Sequence, residues 1–158
     1  MTNTGRALRV ILVDDDEEDR EFFREAAEEV APQIDLSLCM GGEALMNDLR
    51  QPGSELPDLI ILDLNMPVKN GHECLDEIRE DALLKGIPVI IYSTSSSRTQ
   101  IDAAYLGGAD LYIPKPERYN DLLLLLREVF SKDWATHDSP PREKFVLRAV
   151  NLNNGSTT

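Results

Sequence analysis

The stretch Asp58-Leu59-Ile60-Ile61-Leu62-Asp63 is the tightest constraint in this chain. Consecutive apolar residues, two of them β-branched and without alternation, describe a short strand covered on both faces. Such strands belong to parallel sheets with helices on either side. Asp63 follows at once at the strand's carboxyl end, Met66-Pro67 stops the strand, and Asn70-Gly71 signals a turn into a helix. In open α/β sheets, ligands bind along that carboxyl edge. A single carboxylate there also serves as a helix cap, so its meaning depends on what the other strand ends bring.

Read from the amino terminus, the pattern recurs. Residues 7–13 form an apolar run that ends in Asp14, Asp15 and Asp16. A helix is predicted over 17–30, with Phe22, Phe23, Ala26, Ala27 and Val30 on one stripe. Residues 34–40 alternate like a half-exposed strand, Gly41-Gly42 turns the chain into a helix over 43–50, and 51–57 is a loop. After the central strand at 58–63, a helix over 71–80 turns Cys74, Leu75 and Ile78 inward. Residues 87–92 form a fourth, nearly all-apolar strand that ends in a run of hydroxyls, Ser93 to Ser97. A helix over 98–106 stops at Gly107-Gly108, a fifth strand at 109–113 leads into Pro114-Lys115-Pro116, and a last helix spans 118–130.

Strands and helices in this alternation predict an α/β fold, a doubly wound three-layer sandwich on a parallel sheet. Right-handed crossovers place all the strand ends on one edge. Residues 6–132 make one domain. Residues 133–158 read as a C-terminal tail, largely linker or disordered, with a short apolar island at 144–148.

Composition narrows what that edge holds. Acidic residues number 29 against 16 basic ones, a formal net charge of −13. No excess of Lys and Arg is available to replace phosphate counterions, so no direct nucleic-acid binding and no membrane binding are expected. No apolar stretch approaches the ~20 residues of a membrane span. Met1 to Gly5 lack the apolar region of a secretory signal, so a cytoplasmic location is expected. Cys39, Cys74, His72 and His137 are isolated and lack zinc spacing, which leaves oxygen-bound Mg²⁺, Mn²⁺ or Ca²⁺ as the metals to consider.

Asp14 to Asp19 are six acids in a row. Capping and the helix dipole need fewer, and their repulsion favours a cation. Asp14 and Asp15, at the strand end, are the ligand candidates, whereas Glu17, Glu18 and Asp19 read as solvated residues of the helix.

The strand ends together present Asp14 and Asp15, Asp63, Ser93 with Thr94, and Lys115. This set suits phosphoryl transfer to a carboxylate. Phosphoryl oxygens need positive charge, and converging carboxylates raise one another's pKa values unless a divalent cation is present. Asp63, central and on the most buried strand, is the nucleophile candidate. Mg²⁺, or Mn²⁺, is expected on Asp15 and Asp63, with Asp14 acting through water and the backbone carbonyl of Asn65 completing the shell. Lys115 is expected to pair with Asp63, and Ser93 to hydrogen-bond a phosphoryl oxygen.

Val13-Asp14-Asp15-Asp16, Leu62-Asp63-Leu64-Asn65-Met66-Pro67 with Gly71, Ser93-Thr94, Gly108-Ala109 and Lys115-Pro116 carry a resemblance. In order and spacing, over residues 6–132, they resemble the receiver domains of two-component response regulators, of the stand-alone, chemotaxis-regulator-like kind. The resemblance implies Asp63 as phosphoacceptor, Asp14 and Asp15 as the acidic pair, Ser93 as switch hydroxyl and Lys115 as pocket lysine. It implies a doubly wound (βα)5 flavodoxin-like three-layer sandwich with its parallel sheet in the order 2-1-3-4-5, Tyr112 as the aromatic whose rotamer follows phosphorylation, and a cis Lys115–Pro116 bond. The implied donor is a sensor histidine kinase or phosphotransfer protein. Glu17 departs from the family in standing where many members have proline, and Ser93 is often threonine.

In such a protein, phosphorylation draws Ser93 toward the new oxygens, Tyr112 turns inward, and the surface of the fourth helix, fifth strand and fifth helix changes. Leu122 to Leu126 run fully round the last helix, so some are expected to face outward. They are either overflow from the core or, with Ile101, Tyr105 and Tyr112, a face for a downstream partner or self-dimer. With no output segment after residue 132, the chain is expected to act alone, as a signalling protein rather than an enzyme on foreign substrates. Two alternatives are a Mg²⁺-dependent phosphohydrolase and an unphosphorylated adaptor. The first wants a general acid where Asn65 stands, and the second has no need of the full pocket.

Overall fold

The structure is a computed structural model and describes residues 6–156, the last four by backbone alone. The reading of Met1–Gly5 as free of a signal lies outside the described residues, as do residues 157–158 of the tail. Strands β1 (Arg9–Val13), β2 (Asp35–Cys39), β3 (Leu59–Leu62), β4 (Val89–Ser93) and β5 (Leu111–Pro114) pair in parallel, in the order β2-β1-β3-β4-β5. The helices are α1 (Glu17–Val30), α2 (Gly42–Leu49), α3 (Gly71–Glu80), α4 (Arg98–Leu106), α5 (Tyr119–Phe130) and α6 (Ala149–Ser156). The chain is a doubly wound α/β sandwich with the predicted strand order.

The period of two along each strand divides the core. Val10, Leu12, Leu59, Ile61, Ile90 and Leu111 pack with Phe23, Ala26 and Ala27 of α1 and the leucines of α5. Val13, Ile60, Leu62, Val89, Ile91 and Tyr112 pack against α2, α3 and α4. Every residue of β3 and β4 is buried, as an unbroken apolar run requires. Each fully buried Leu or Ile contributes about 1.5–3 kcal/mol. The helices start where side chains cap them: Asp16 for α1, Asn70 with Glu73 in a capping box for α3, and Ser97 for α4.

Two expectations fail here. No cis peptide bond occurs among the described residues, so Lys115–Pro116 is trans, the isomer that X–Pro bonds favour by about 0.5–1 kcal/mol. The tail also differs from a linker. Short 3₁₀ turns at Trp134–Thr136 and Arg142–Lys144 and the helix α6 give it structure. Trp134 is buried and its indole N–H donates to Val129 O at 2.8 Å. Beyond it the chain runs along β5: Tyr112 N donates to Phe145 O at 3.0 Å, and Leu147 N to Tyr112 O at 2.9 Å.

The physical reason is that β5 is an edge strand, and its open N–H and C=O groups template another strand. Phe145 is fully buried, edge-on to Tyr105 (5.1 Å between centroids) and tilted against Tyr112 (6.2 Å). Arg142 pairs with Asp102 of α4 at 2.8 Å. Of the five leucines, Leu122, Leu123, Leu125 and Leu126 are buried and Leu124 is half-buried, and α6 packs on α5. Ile101 and Tyr112 are also buried, and Phe145 of the tail covers Tyr105 and Tyr112, so most of the expected outward apolar face is closed.

Candidate functional site

Parallel register gathers the site. Val13 lies opposite Leu62, and Ser93 opposite Pro114. Residues that follow these strand ends therefore emerge side by side on one edge. Asp63 N donates to Val13 O at 2.9 Å, and Lys115 N to Ser93 O at 2.7 Å, so the backbones stay locked to the point where the side chains diverge. The structure brings Asp14, Asp15, Asp63 and Lys115 together, with Ser93 on the neighbouring strand end. Asn65 stands two residues past Asp63, its N–H 3.5 Å from Asp63 Oδ1.

Asp14 is fully buried, which a carboxylate tolerates only when paired. Its Oδ1 accepts from Asp16 N at 3.0 Å and its Oδ2 from Lys115 Nζ at 2.7 Å, while Arg20 holds its carbonyl at 2.8 Å. Lys115 donates also to Asp19 Oδ2 at 2.8 Å, and its Nζ lies 3.7 Å from Asp63 Oδ2. The expected Lys115–Asp63 pair is thus an ion pair beyond hydrogen-bond length, and Asp19, read as solvated, is a partner of the lysine.

Nothing in the sequence alone marks Asp19 off from Glu17 and Glu18. Only the start of α1, set by Asp16 accepting from Asp19 N at 3.1 Å, turns the third helical residue toward Lys115. Tyr92, which the sequence left unremarked, lies under the ammonium, 5.4 Å from Nζ to the ring centroid.

Electrostatics single out Asp63. Burial pushes its carboxyl up to about 6; Lys115 and the Asn65 N–H pull it down, and the charges of Asp14 and Asp15 push it further up. Lys115 shows the opposite balance. Burial works against its charge, but the hydrogen bonds to Asp14 and Asp19 outweigh it and hold its pKa above the ordinary value. Both cysteines are buried, and burial pushes Cys39 up to about 12 and Cys74 to about 11, so neither is a thiolate.

Asp14, Asp15 and Asp63 each offer a carboxylate oxygen, all within 4.8 Å of one another. An all-oxygen donor set of three converging carboxylates, with Lys115 paired to two of them, fits a hard divalent cation. Asp15 is exposed and Asp63 nearly buried, so the set opens to solvent on one side.

Ser93 is fully buried and its Oγ accepts from Ser95 N at 3.1 Å. Tyr112 is also fully buried, its hydroxyl donating to Ser95 O at 2.9 Å, so this ring already points inward beneath the β4–α4 loop. Two shallow clefts elsewhere, one at Arg98, Asp102, Arg142 and Glu143 and one at the α1–β2 edge, hold no comparable converging set. No helix of the described residues is long and apolar enough to cross a membrane.

Known proteins share the sequence pattern and the fold of this chain. The chain is 32% identical over 126 residues to the response regulator Rcp1 of Synechocystis, covering 77% of this chain and 86% of Rcp1. The Mn²⁺-bound structure of Rcp1 superposes with a TM-score of 0.71 over 84% of this chain and 99% of that one. The phosphorylated cyanobacterial phytochrome response regulator RcpA, 31% identical, gives 0.74 over 85% of this chain and all of its own. RPA3017, a response regulator in red light signalling of R. palustris, is 26% identical and gives 0.73 over 85% of this chain and 99% of its own. The model of the response regulator receiver domain family matches residues 10–127, most of the chain, and the protein belongs to that family.

Proposed function

We propose that residues 6–132 form a receiver that takes a phosphoryl group on Asp63 from a histidine kinase or phosphotransfer protein, with Mg²⁺ or Mn²⁺ as cofactor. The observation that carries this reading is the convergence of Asp63 with the Asp14–Asp15 pair and Lys115. In the transfer, an Asp63 carboxylate oxygen forms the O–P bond as the P–N bond of the donor histidine breaks. The imidazole leaves with the electron pair and takes up a proton. Asp63 must be ionised to attack, and a carboxyl with a pKa of about 6 is so at neutral pH.

Asp14, Asp15, Asp63 and the backbone carbonyl of Asn65 would hold the divalent cation, which supplies charge neutralisation at the phosphoryl oxygens. Lys115 stabilises one phosphoryl oxygen and Ser93 donates to another. The Mn²⁺-bound form of Rcp1 supports the metal reading. The likeness to RcpA, a phytochrome response regulator, and to RPA3017, a response regulator in red light signalling, favours a light-signalling pathway as the source of the phosphoryl group. Such a protein catalyses only its own phosphorylation and dephosphorylation.

Downstream, the α4-β5-α5 surface is the reading surface, with Ser93 and Tyr112 as its switch, for a protein partner or a second copy of the chain. Residues 142–148 lie over that surface, so a partner that reads it competes with them.

Intact mass after incubation with Mg²⁺ and acetyl phosphate tests the core of the proposal. One phosphoryl adduct is expected that needs Mg²⁺ and is missing in Asp63→Asn. No adduct in the wild type refutes it and favours an unphosphorylated adaptor, and an adduct that survives Asp63→Asn refutes Asp63 as the acceptor.

A further inference from the structure

Glu17, Glu18 and Asp19 share the first turn of α1, and a first-turn acid needs no function, since the helix dipole alone favours it. Asp19 does something its neighbours do not. Its side chain is 37% exposed, and its Oδ2 accepts from Lys115 Nζ at 2.8 Å, beside the 2.7 Å bond from the same nitrogen to Asp14 Oδ2. An ammonium has three N–H donors. Two are committed to the α1 side of the pocket, and Asp63 Oδ2 stands 3.7 Å away. Lys115 is therefore drawn toward α1 and away from the group on which a phosphoryl would sit. Asp19 also adds negative charge beside the three carboxylates that fit a cation.

We propose that Asp19 is a positioning residue for Lys115. Its carboxylate holds the ammonium off Asp63, which strengthens divalent-cation binding and weakens the hold on the phosphoryl group. The inference rests on the reading of Asp63 as the phosphoacceptor. With a phosphoryl group present, Lys115 divides its donors between the new oxygens and Asp19, so the grip of Asp19 sets how firmly the phosphorylated state is held. With Asp19 neutral, the ammonium keeps Asp14 as its one bonded carboxylate: it repels a cation at Asp14, Asp15 and Asp63 more strongly and is freer to meet an anion on Asp63.

The test is a pair of calorimetric titrations on the full chain: Mg²⁺ alone, then beryllofluoride, a phosphoryl mimic, at saturating Mg²⁺. In Asp19→Asn the Kd for Mg²⁺ is expected to rise about three- to tenfold and that for beryllofluoride to fall by a similar factor, the scale of one partly screened charge. Glu18→Gln removes the same charge from the same helix turn without touching Lys115, and is expected to change neither constant. Asp19→Glu, which keeps the carboxylate, is expected to restore the wild-type values.

A purely structural role for Asp19 would weaken both ligands together. Shifts of the same sign in Asp19→Asn, or no shift, overturn the inference while leaving the receiver reading intact if the wild type binds beryllofluoride. A wild type that binds no beryllofluoride overturns both.

Discussion

At the scale of single residues, the site is defined by one carboxyl kept away from its ordinary value. Asp63 is 5% exposed and its pKa rises from 3.8 to about 6, chiefly through burial. A carboxyl whose folded pKa lies above its unfolded value favours folding below the unfolded pKa. That contribution is lost as pH rises through the folded pKa. At neutral pH the ionised Asp63 therefore destabilises the metal-free chain. In chelator-treated buffer at pH 7, Asp63→Asn is expected to raise unfolding stability by about 1–2 kcal/mol, a figure already reduced for solvent screening. In urea titrations this gain should vanish by pH 4, and Mg²⁺ should stabilise the wild type but not the variant.

Asp63, Asp14, Asp15, Ser93 and Lys115 were legible in the sequence because each ends an apolar run whose period is unmistakable. Asp19 was not. Its difference from Glu17 and Glu18 lies only in the direction a helix residue faces relative to a lysine nearly a hundred residues away.

At the scale of elements, the junction from β3 into α3 determines where Asp63 sits. Gly71 opens α3, and its N–H donates to Leu64 O at 3.0 Å. A Cβ there would stand 2.3 Å from Asp63 O and 2.8 Å from Leu64 Cα, both backbone atoms that cannot swing aside. The same turn holds Val68 at a φ of 67°, a left-handed conformation that strains a β-branched residue by about 1–2 kcal/mol. Gly71→Ala is expected to cost about 1–3 kcal/mol in thermal or urea unfolding. It should also slow acetyl phosphate labelling at saturating Mg²⁺, because relief of the clash displaces the carbonyl of the phosphoacceptor itself. An unchanged labelling rate would mean that the strain is absorbed in α3 instead. The turn at Asn70-Gly71 was plain in the sequence as a turn, but the close approach that demands glycine depends on the packing of α3 against β3.

At the scale of the whole molecule, the tail changes what the sheet edge offers. Phe145 is fully buried against Tyr105 and Tyr112, and residues 145–147 bond both backbone groups of Tyr112. Asp110, held by Arg79 at 3.0 Å and by Val89 N at 2.8 Å, also meets the tail, with Ser139 Oγ at 3.4 Å and His137 Nε2 at 3.5 Å. Removing a buried Phe side chain costs about 3–5 kcal/mol, more than a short docked segment is expected to retain. Phe145→Ala is therefore expected to release 142–148 while 6–132 stays folded. By hydrogen exchange, protection at the Tyr112 and Leu147 amides should drop about a hundredfold or more, with the β3 and β4 amides unchanged. Loss of protection throughout would show that the tail is part of the domain rather than an addition to it.

The sequence by itself determined the parallel βα alternation, the two-sided core and the set of groups on the carboxyl edge. Those follow from local periodicity, turn residues and the handedness of βα crossovers, which are properties of short segments. Only the tertiary structure decided that Lys115 leans on Asp14 and Asp19, that Tyr112 already points inward, and that residues 142–148 close the β5 edge. The tail's apolar island, too short to predict any element, gained its meaning from an open strand edge and a buried aromatic site contributed by residues far away in the chain. Contacts of that kind are set by packing between distant segments, for which a one-dimensional pattern carries no signal.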